Sequence, residues 1–201
     1  MDKILLKQVM LDNRREIEKY GVFHRNVDLG QFPCCILVGL RRAGKSFMLY
    51  QRMQDLLKAG HSWDEMLYLS FEDDRLDDFT SSDFNLILEC HAELSDKKPM
   101  LFLDEIQNID GWQKFARRLA DNKYSVVITG SNAKMLSRQF MSELGGRYLT
   151  IEVYPFNFTE FLDYSGEPHD ENTLLATESR AKFMRAYNEY FQWGGLPEGI
   201  G

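Results

Sequence analysis

Residues 34–46 read Cys-Cys-Ile-Leu-Val-Gly-Leu-Arg-Arg-Ala-Gly-Lys-Ser. The apolar run Cys34 to Val38 has the length and composition of a buried strand, and it stops at a glycine. From there Gly39-Leu40-Arg41-Arg42-Ala43-Gly44-Lys45-Ser46 meets every fixed position of the phosphate-loop pattern G-x-x-x-x-G-K-[ST]. Each residue type has a physical task. The glycines let the backbone curl so that successive N–H groups converge on phosphate oxygens, and the following helix adds the positive potential of its N-terminus. Lys45 supplies a mobile ammonium for the β- and γ-phosphates, and Ser46 a small hydroxyl for Mg²⁺. The helix is marked by Phe47, Met48, Leu49, Met53, Leu56 and Leu57. A strand before the loop and an apolar helix after it favour a nucleotide-binding segment over a glycine turn with a surface lysine.

The bulk of the chain fits this start. Its 201 residues are 44% hydrophobic and 13% aromatic, enough for one domain with a substantial core. A net charge of −7 argues against broad non-specific binding of nucleic acid through this segment, while leaving room for a local basic patch. Acid is concentrated at Glu72, Asp73, Asp74, Asp77 and Asp78. Three cysteines, two of them adjacent inside the first strand, form neither a disulfide framework nor a zinc spacing, which fits a reducing compartment. No apolar run approaches the length of a membrane span, so the expected location is cytoplasmic, with no membrane partner. His24, His61, His91 and His169 are far apart and have no ligand spacing.

Read in order, the chain alternates strands and helices. Leu6, Val9, Met10, Ile17 and Tyr20 predict an amphipathic helix over residues 4–20, with Gly21 as its stop. After the phosphate-loop helix, which should end at Gly60, Ser62 and Glu65 resemble a capping box. Strands are expected at 66–71, 100–103, 125–129 and 148–153, and helices at 83–94, 111–120, 132–140, 157–163 and 178–193. Such alternation implies an α/β fold, a parallel sheet wrapped by helices. The expected division is an N-terminal helical segment (1–30), a core (31–155) and a C-terminal helical appendage (156–201).

Two further strands end in chemistry. Met100-Leu101-Phe102-Leu103 runs into Asp104-Glu105, the expected companion of a phosphate loop. Asp104 is placed to hold Mg²⁺ through its waters and Glu105 to act on the attacking water, the alternative being a solvated strand end. The strand Ser125 to Thr129 leads into Gly130-Ser131-Asn132, so Ser131 or Asn132 could sense the γ-phosphate; capping of the next helix is an equal reading. There is no N-K-x-D element to read a guanine, which favours ATP over GTP. Arg147, after Gly145-Gly146, could reach a γ-phosphate of a neighbouring subunit, with Arg138 as second candidate; pairing with one of the many acids is the competing role. Glu72 is expected to be exposed rather than to orient Glu105, and Arg41 and Arg42 to be solvated unless they meet a substrate or partner.

The run G-L-R-R-A-G-K-S, the strand L-F-L-D-E, the T-G-S-N strand end and G-G-R before the last strand, in this order, resemble the AAA-type P-loop ATPases of the additional-strand class. Leu67 to Asp73, Tyr154-Pro155-Phe156 to Phe161, and Phe191-Gln192-Trp193-Gly194-Gly195-Leu196-Pro197-Glu198 are similar to a prokaryotic branch whose members usually carry a C-terminal restriction-endonuclease-like domain. The resemblance implies a three-layer P-loop NTPase fold with sheet order 5-1-4-3-2 and a helical lid in which Pro197 packs against adenine. A helix stop at Gly194-Gly195 with a restart at Pro197 is the equal alternative there. It also implies that the protein continues past Gly201, so that the lid is truncated. The activity implied is Mg²⁺-dependent ATP hydrolysis driving a conformational change, in a homo-oligomer or with a partner that supplies an arginine. A nucleotide-dependent switch or scaffold with negligible turnover is the second reading. A small-molecule phosphotransferase would need an acceptor-gripping motif, and the sequence shows none.

Overall fold

A computed structural model describes residues 1–27, 29, 32–131, 135, 142–170 and 175–197. Its strands are β1 (Cys34–Gly39), β2 (Met66–Ser70), β3 (Met100–Asp104), β4 (Val126–Gly130) and β5 (Leu149–Val153). They form one sheet of order β2-β3-β4-β1-β5, the order implied above read from its other edge. The pairs β1/β4, β2/β3 and β3/β4 are parallel. Near-continuous apolar runs suit this arrangement, because central parallel strands are covered on both faces. Every residue of β4 is buried, as are all but the last of β1 and all but the first of β3.

The placement of β4 between β1 and β3 matters most for function. Its register sets Val38 opposite Gly130 and Leu103 opposite Ile128. The C-terminal ends of three strands therefore lie side by side, carrying Gly39, Asp104 and Thr129 to one rim. In parallel sheets this is the rim where ligands bind.

The helices are α1 (Lys3–Lys19), α2 (Lys45–Lys58), α3 (Phe84–Leu94), α4 (Trp112–Asp121), α5 (Phe158–Ser165) and α6 (Thr177–Trp193). Apart from Met135, the predicted helix over 132–140 lies outside the described residues. Backbone contacts divide the chain into two compact units, one of Met1–Gly39 with Lys45–Glu152 and the other of Leu40–Gly44 with Val153–Gly201. In the first, Leu6, Val9 and Met10 of α1 join Trp112, Phe115, Ala116 and Leu119 of α4 in one core with the sheet. Phe84 stacks on Phe115 at 4.5 Å between ring centroids. In the second, α5 meets α6 through Phe161, Leu162 and Ala186, flanked by Phe158, Phe183 and Tyr190. Among the described residues no helix is long and apolar enough to cross a membrane.

Two expected helix signals resolve differently. Helix α1 stops at Lys19 because Tyr20 is already extended (φ −73°, ψ 126°), so no left-handed Gly21 ends it. Ser62 makes no side-chain cap bond. Its hydroxyl accepts instead from Lys97 Nζ (3.3 Å), and Lys97 also holds Glu65 (2.6 Å). Reciprocal capping boxes occur instead at Thr80 with Asp83 and at Asn157 with Glu160.

Helix α3 carries a buried histidine into this core. His91 Nε2 lies 3.0 Å from the Lys97 carbonyl oxygen, which only accepts, so the ring donates from Nε2. Burial pushes the imidazole below its ordinary value near 6.5. The unfolded chain then takes up a proton that the folded chain refuses, and stability falls as pH drops through about 6.5. Urea denaturation should show a midpoint that declines between about pH 7.5 and 5.5, and His91→Gln should flatten that decline.

Candidate functional site

The loop from Gly39 to Lys45 joins β1 to α2. Two of its residues are left-handed, Arg42 at φ 68° and Gly44 at φ 90°. For Gly44 it is the backbone angle that calls for glycine, since an added Cβ would meet Pro197 Cγ only at an ordinary 3.8 Å. Arg42 adopts the same region without that freedom, at a cost of about 1 kcal/mol or more. The Ala43 N–H donates to the Leu40 carbonyl (3.2 Å), closing the turn. Arg41 and Arg42 are exposed, and so is Phe47 in the first turn of α2, against Tyr20 and Tyr50.

Lys45 is buried at the start of α2, only 4% exposed, and its charge is met within the site. Nζ stands 3.3 Å from Glu105 Oε1 and donates to the Gly39 carbonyl at 3.4 Å. Glu105, 6% exposed, follows β3 in a left-handed conformation (φ 49°). Its Oε2 accepts from Gln107 Nε2 (2.5 Å) and from the Ser131 N–H (3.1 Å). Burial opposes ionisation of Glu105, yet the bonds from Gln107 and Ser131 and the ammonium of Lys45 hold its carboxyl below the usual range.

Asp104, 3% exposed, is gripped by hydroxyls. Thr129 Oγ1 donates to Oδ1, Tyr68 donates to Oδ2 at 2.9 Å, and Ser46 also hydrogen-bonds the carboxyl. Burial raises its pKa, the three hydroxyls pull it back, and the charge of Glu105 adds to the rise. Thr129 does double duty, for its oxygen also accepts the Glu105 N–H at 2.9 Å. The donor set of Ser46 and Asp104 is hard oxygen. Among the described residues no three His, Cys, Asp or Glu gather as a metal cage. Such sparse ligation suits Mg²⁺, which keeps several waters and takes other ligands from substrate phosphates.

Thus the structure brings together Lys45, Ser46, Asp104, Glu105 and Ser131 of the residues singled out from sequence. It holds Arg147 elsewhere in its bonding: Nε donates to Asp121 (2.5 Å) and Nη1 to the Gly145 carbonyl (3.2 Å). Glu72 is exposed. Pro197 lies beside Gly44 within the second unit, where Gly195 accepts the Phe156 N–H at 2.7 Å. A side chain at Gly195 would strike the Phe156 carbonyl oxygen (2.0 Å), so only glycine allows that contact. Asn132 and Arg138 lie outside the described residues. Sequence reading assigned no role to Thr129, Tyr68 or Gln107. Thr129 had a signal, as the one hydroxyl in an otherwise apolar strand core; Tyr68 and Gln107 had none.

A family model described as an AAA domain matches residues 31–162. The chain belongs to that family. Over 198 residues the AAA chain is 36% identical to an uncharacterised protein of Methanocaldococcus jannaschii, covering 98% of this chain and 43% of the relative. An uncharacterised protein of Haemophilus influenzae is 36% identical over 166 residues, covering 81% of this chain and 39% of the relative. The chain thus spans less than half the length of these curated relatives. Among solved structures, the Saccharomyces cerevisiae Hsp104-ADP complex superposes with a TM-score of 0.53 at 15% identity, over 85% of this chain and 27% of that one. At that identity the likeness is one of fold, and it agrees with the P-loop NTPase sheet order found in this AAA domain.

Thr129→Val in this AAA domain tests the hydroxyl at the rim. It leaves an Asp104 oxygen and the Glu105 N–H without their partner, and should lower unfolding free energy by about 2–4 kcal/mol in urea denaturation.

Proposed function

We propose that this AAA domain binds ATP with Mg²⁺ and hydrolyses it to ADP and phosphate, using the cycle to drive a conformational change. The observation that carries the reading is the cluster of one buried ammonium and two buried carboxylates, with the Ser46 hydroxyl, at the start of the helix that follows the phosphate-loop sequence. In this reading the loop N–H groups and Lys45 take the β- and γ-phosphates, and Ser46 with Asp104 holds Mg²⁺. The ion, when bound, neutralises charge on the phosphate oxygens. Glu105 then accepts a proton from the water that attacks the γ-phosphorus in line, and Ser131 and Asn132 sense the γ-phosphate. The depressed carboxyl of Glu105 suits a group that must be ionised at neutral pH.

Residues 156–201 are assigned the part of a lid. The Gly195-Leu196-Pro197 turn is assigned to the base, a role supported by the packing of Pro197 beside Gly44. Arg147 is assigned to a neighbouring subunit's γ-phosphate in a homo-oligomer, which requires it to leave Asp121. A cytoplasmic location accords with three free cysteines and the absence, among the described residues, of a membrane-crossing helix.

Two observations favour a second reading, a nucleotide-dependent switch with negligible turnover: Arg147 is engaged by Asp121, and Glu105 by Lys45. Turnover against affinity separates the two. Lys45→Ala should abolish tight ATP binding in equilibrium titration, and unchanged affinity would overturn the whole site. Glu105→Gln should keep ATP affinity while phosphate release falls about 10²-fold or more, the usual share of a general base. A parent rate already as slow as that of Glu105→Gln would select the switch.

A further inference from the structure

Tyr68 is left unused by the proposed mechanism, yet, like Thr129, it touches the metal-holding acid. Strand β2 is at the edge of the sheet beside β3, with Tyr68 opposite Phe102 and Ser70 opposite Asp104. Its ring is 7% exposed and its hydroxyl lies 2.9 Å from Asp104 Oδ2. A second hydroxyl, of Tyr50 on α2, lies 3.2 Å from that of Tyr68.

Proton counting orders these contacts. An ionised carboxylate only accepts, so the single phenolic proton of Tyr68 goes to Asp104, and Tyr50 must donate to Tyr68. On the other side, the Glu105 N–H donates to Thr129 and Thr129 donates to Oδ1. Asp104 is therefore the common terminus of two donor chains, one per carboxylate oxygen, in addition to its bond with Ser46. With both oxygens pinned, the plane of the carboxylate is set before any ligand arrives.

The Tyr50 ring is itself clamped. Tyr20, at the end of α1, stacks on it at 5.5 Å with an interplanar angle of 1°. Phe47 and Tyr68 meet it edge-on at 5.3 and 5.5 Å. A short rotation of Tyr50 that would release Tyr68 is thus opposed by three rings from α1, α2 and β2.

We infer that Tyr68, braced by Tyr50, is a positioning residue that orients Asp104 toward the divalent cation of the nucleotide complex. This rests on the reading of the site given under Proposed function and adds to it a hydroxyl relay running from Tyr50 of α2 to the metal-holding acid. Tyr68 touches neither phosphate nor water in this scheme. Its effect belongs to the metal-dependent part of binding alone, which distinguishes it from a tyrosine that only fills the core. Outer partners of a metal-holding group are commonly worth about 10–100-fold in metal affinity.

The test is equilibrium binding of a fluorescent ATP analogue to the parent, Tyr68→Phe and Tyr50→Phe, in EDTA and across a Mg²⁺ titration. Tyr68→Phe should bind the metal-free analogue within about twofold of the parent, and should need about tenfold or more Mg²⁺ for half-saturation. Tyr50→Phe leaves the bond to Asp104 in place, so its shift should be smaller, about two- to threefold. A Tyr68→Phe protein with the parent's Mg²⁺ profile overturns the inference while leaving the nucleotide reading intact. So does equal weakening of binding with and without Mg²⁺, the mark of a core defect, and so does a Tyr50→Phe shift as large as the tenfold expected at Tyr68. A parent that binds the analogue under neither condition overturns the nucleotide reading itself.

Discussion

The arrangement depends on burying opposite charges at the rim of a sheet whose interior is almost wholly apolar. A carboxylate or ammonium withdrawn from water is tolerated only when paired and hydrogen-bonded. Lys45, Asp104 and Glu105 meet that condition through one another and through Ser46, Tyr68, Gln107, Thr129 and Ser131. Remove one member and another is left buried without its partner. The strand order makes the mutual satisfaction possible: β4 stands between the strand that launches the phosphate loop and the strand that ends in the acids. Thr129 is therefore within reach of both Asp104 and the amide that follows it.

Much of this was legible from residue order. Residues 34–46 specified a strand, a turn and a helix, and the structure begins the helix at Lys45, where the pattern requires it. Asp104 and Glu105 were readable because the apolar run that ends in these two acids follows a phosphate loop in the chain; alone it could as well have been a solvated strand end. The sheet order followed from a family likeness, since the run of strands in sequence does not say which two flank a third. Contacts made by hydroxyls across the sheet stayed hidden. Tyr68 looks like any aromatic in a strand, and its meaning depends on a partner thirty-six residues away, fixed only by the register of β2 with β3. Gly21 and Ser62 misled for a similar reason. Local patterns name a cap, but Lys97 claims Ser62 from a distance, and Tyr20 turns into an extended conformation before glycine is needed.

The second unit follows the same logic on a smaller scale. Asn157 and Glu160 cap α5 reciprocally, and Gly166 (φ 68°) ends it. Phe156 is bound at both its amide and its carbonyl, by Gly195 and by the Tyr190 hydroxyl at 2.9 Å. The turn that presents Pro197 is thereby fastened to the segment leaving β5. Its geometry is set by two backbone groups rather than by the helix end alone.

The ion pair between Lys45 and Glu105 has a consequence for selectivity among anions. An ammonium that already has a counter-ion at 3.3 Å offers little net attraction to a singly or doubly charged visitor such as orthophosphate or a nucleoside monophosphate. Only a guest dense enough in negative charge gains more than the resident carboxylate forfeits. The carboxylate at Lys45 thus sets a threshold on the charge density of any anion that would draw the ammonium away from it.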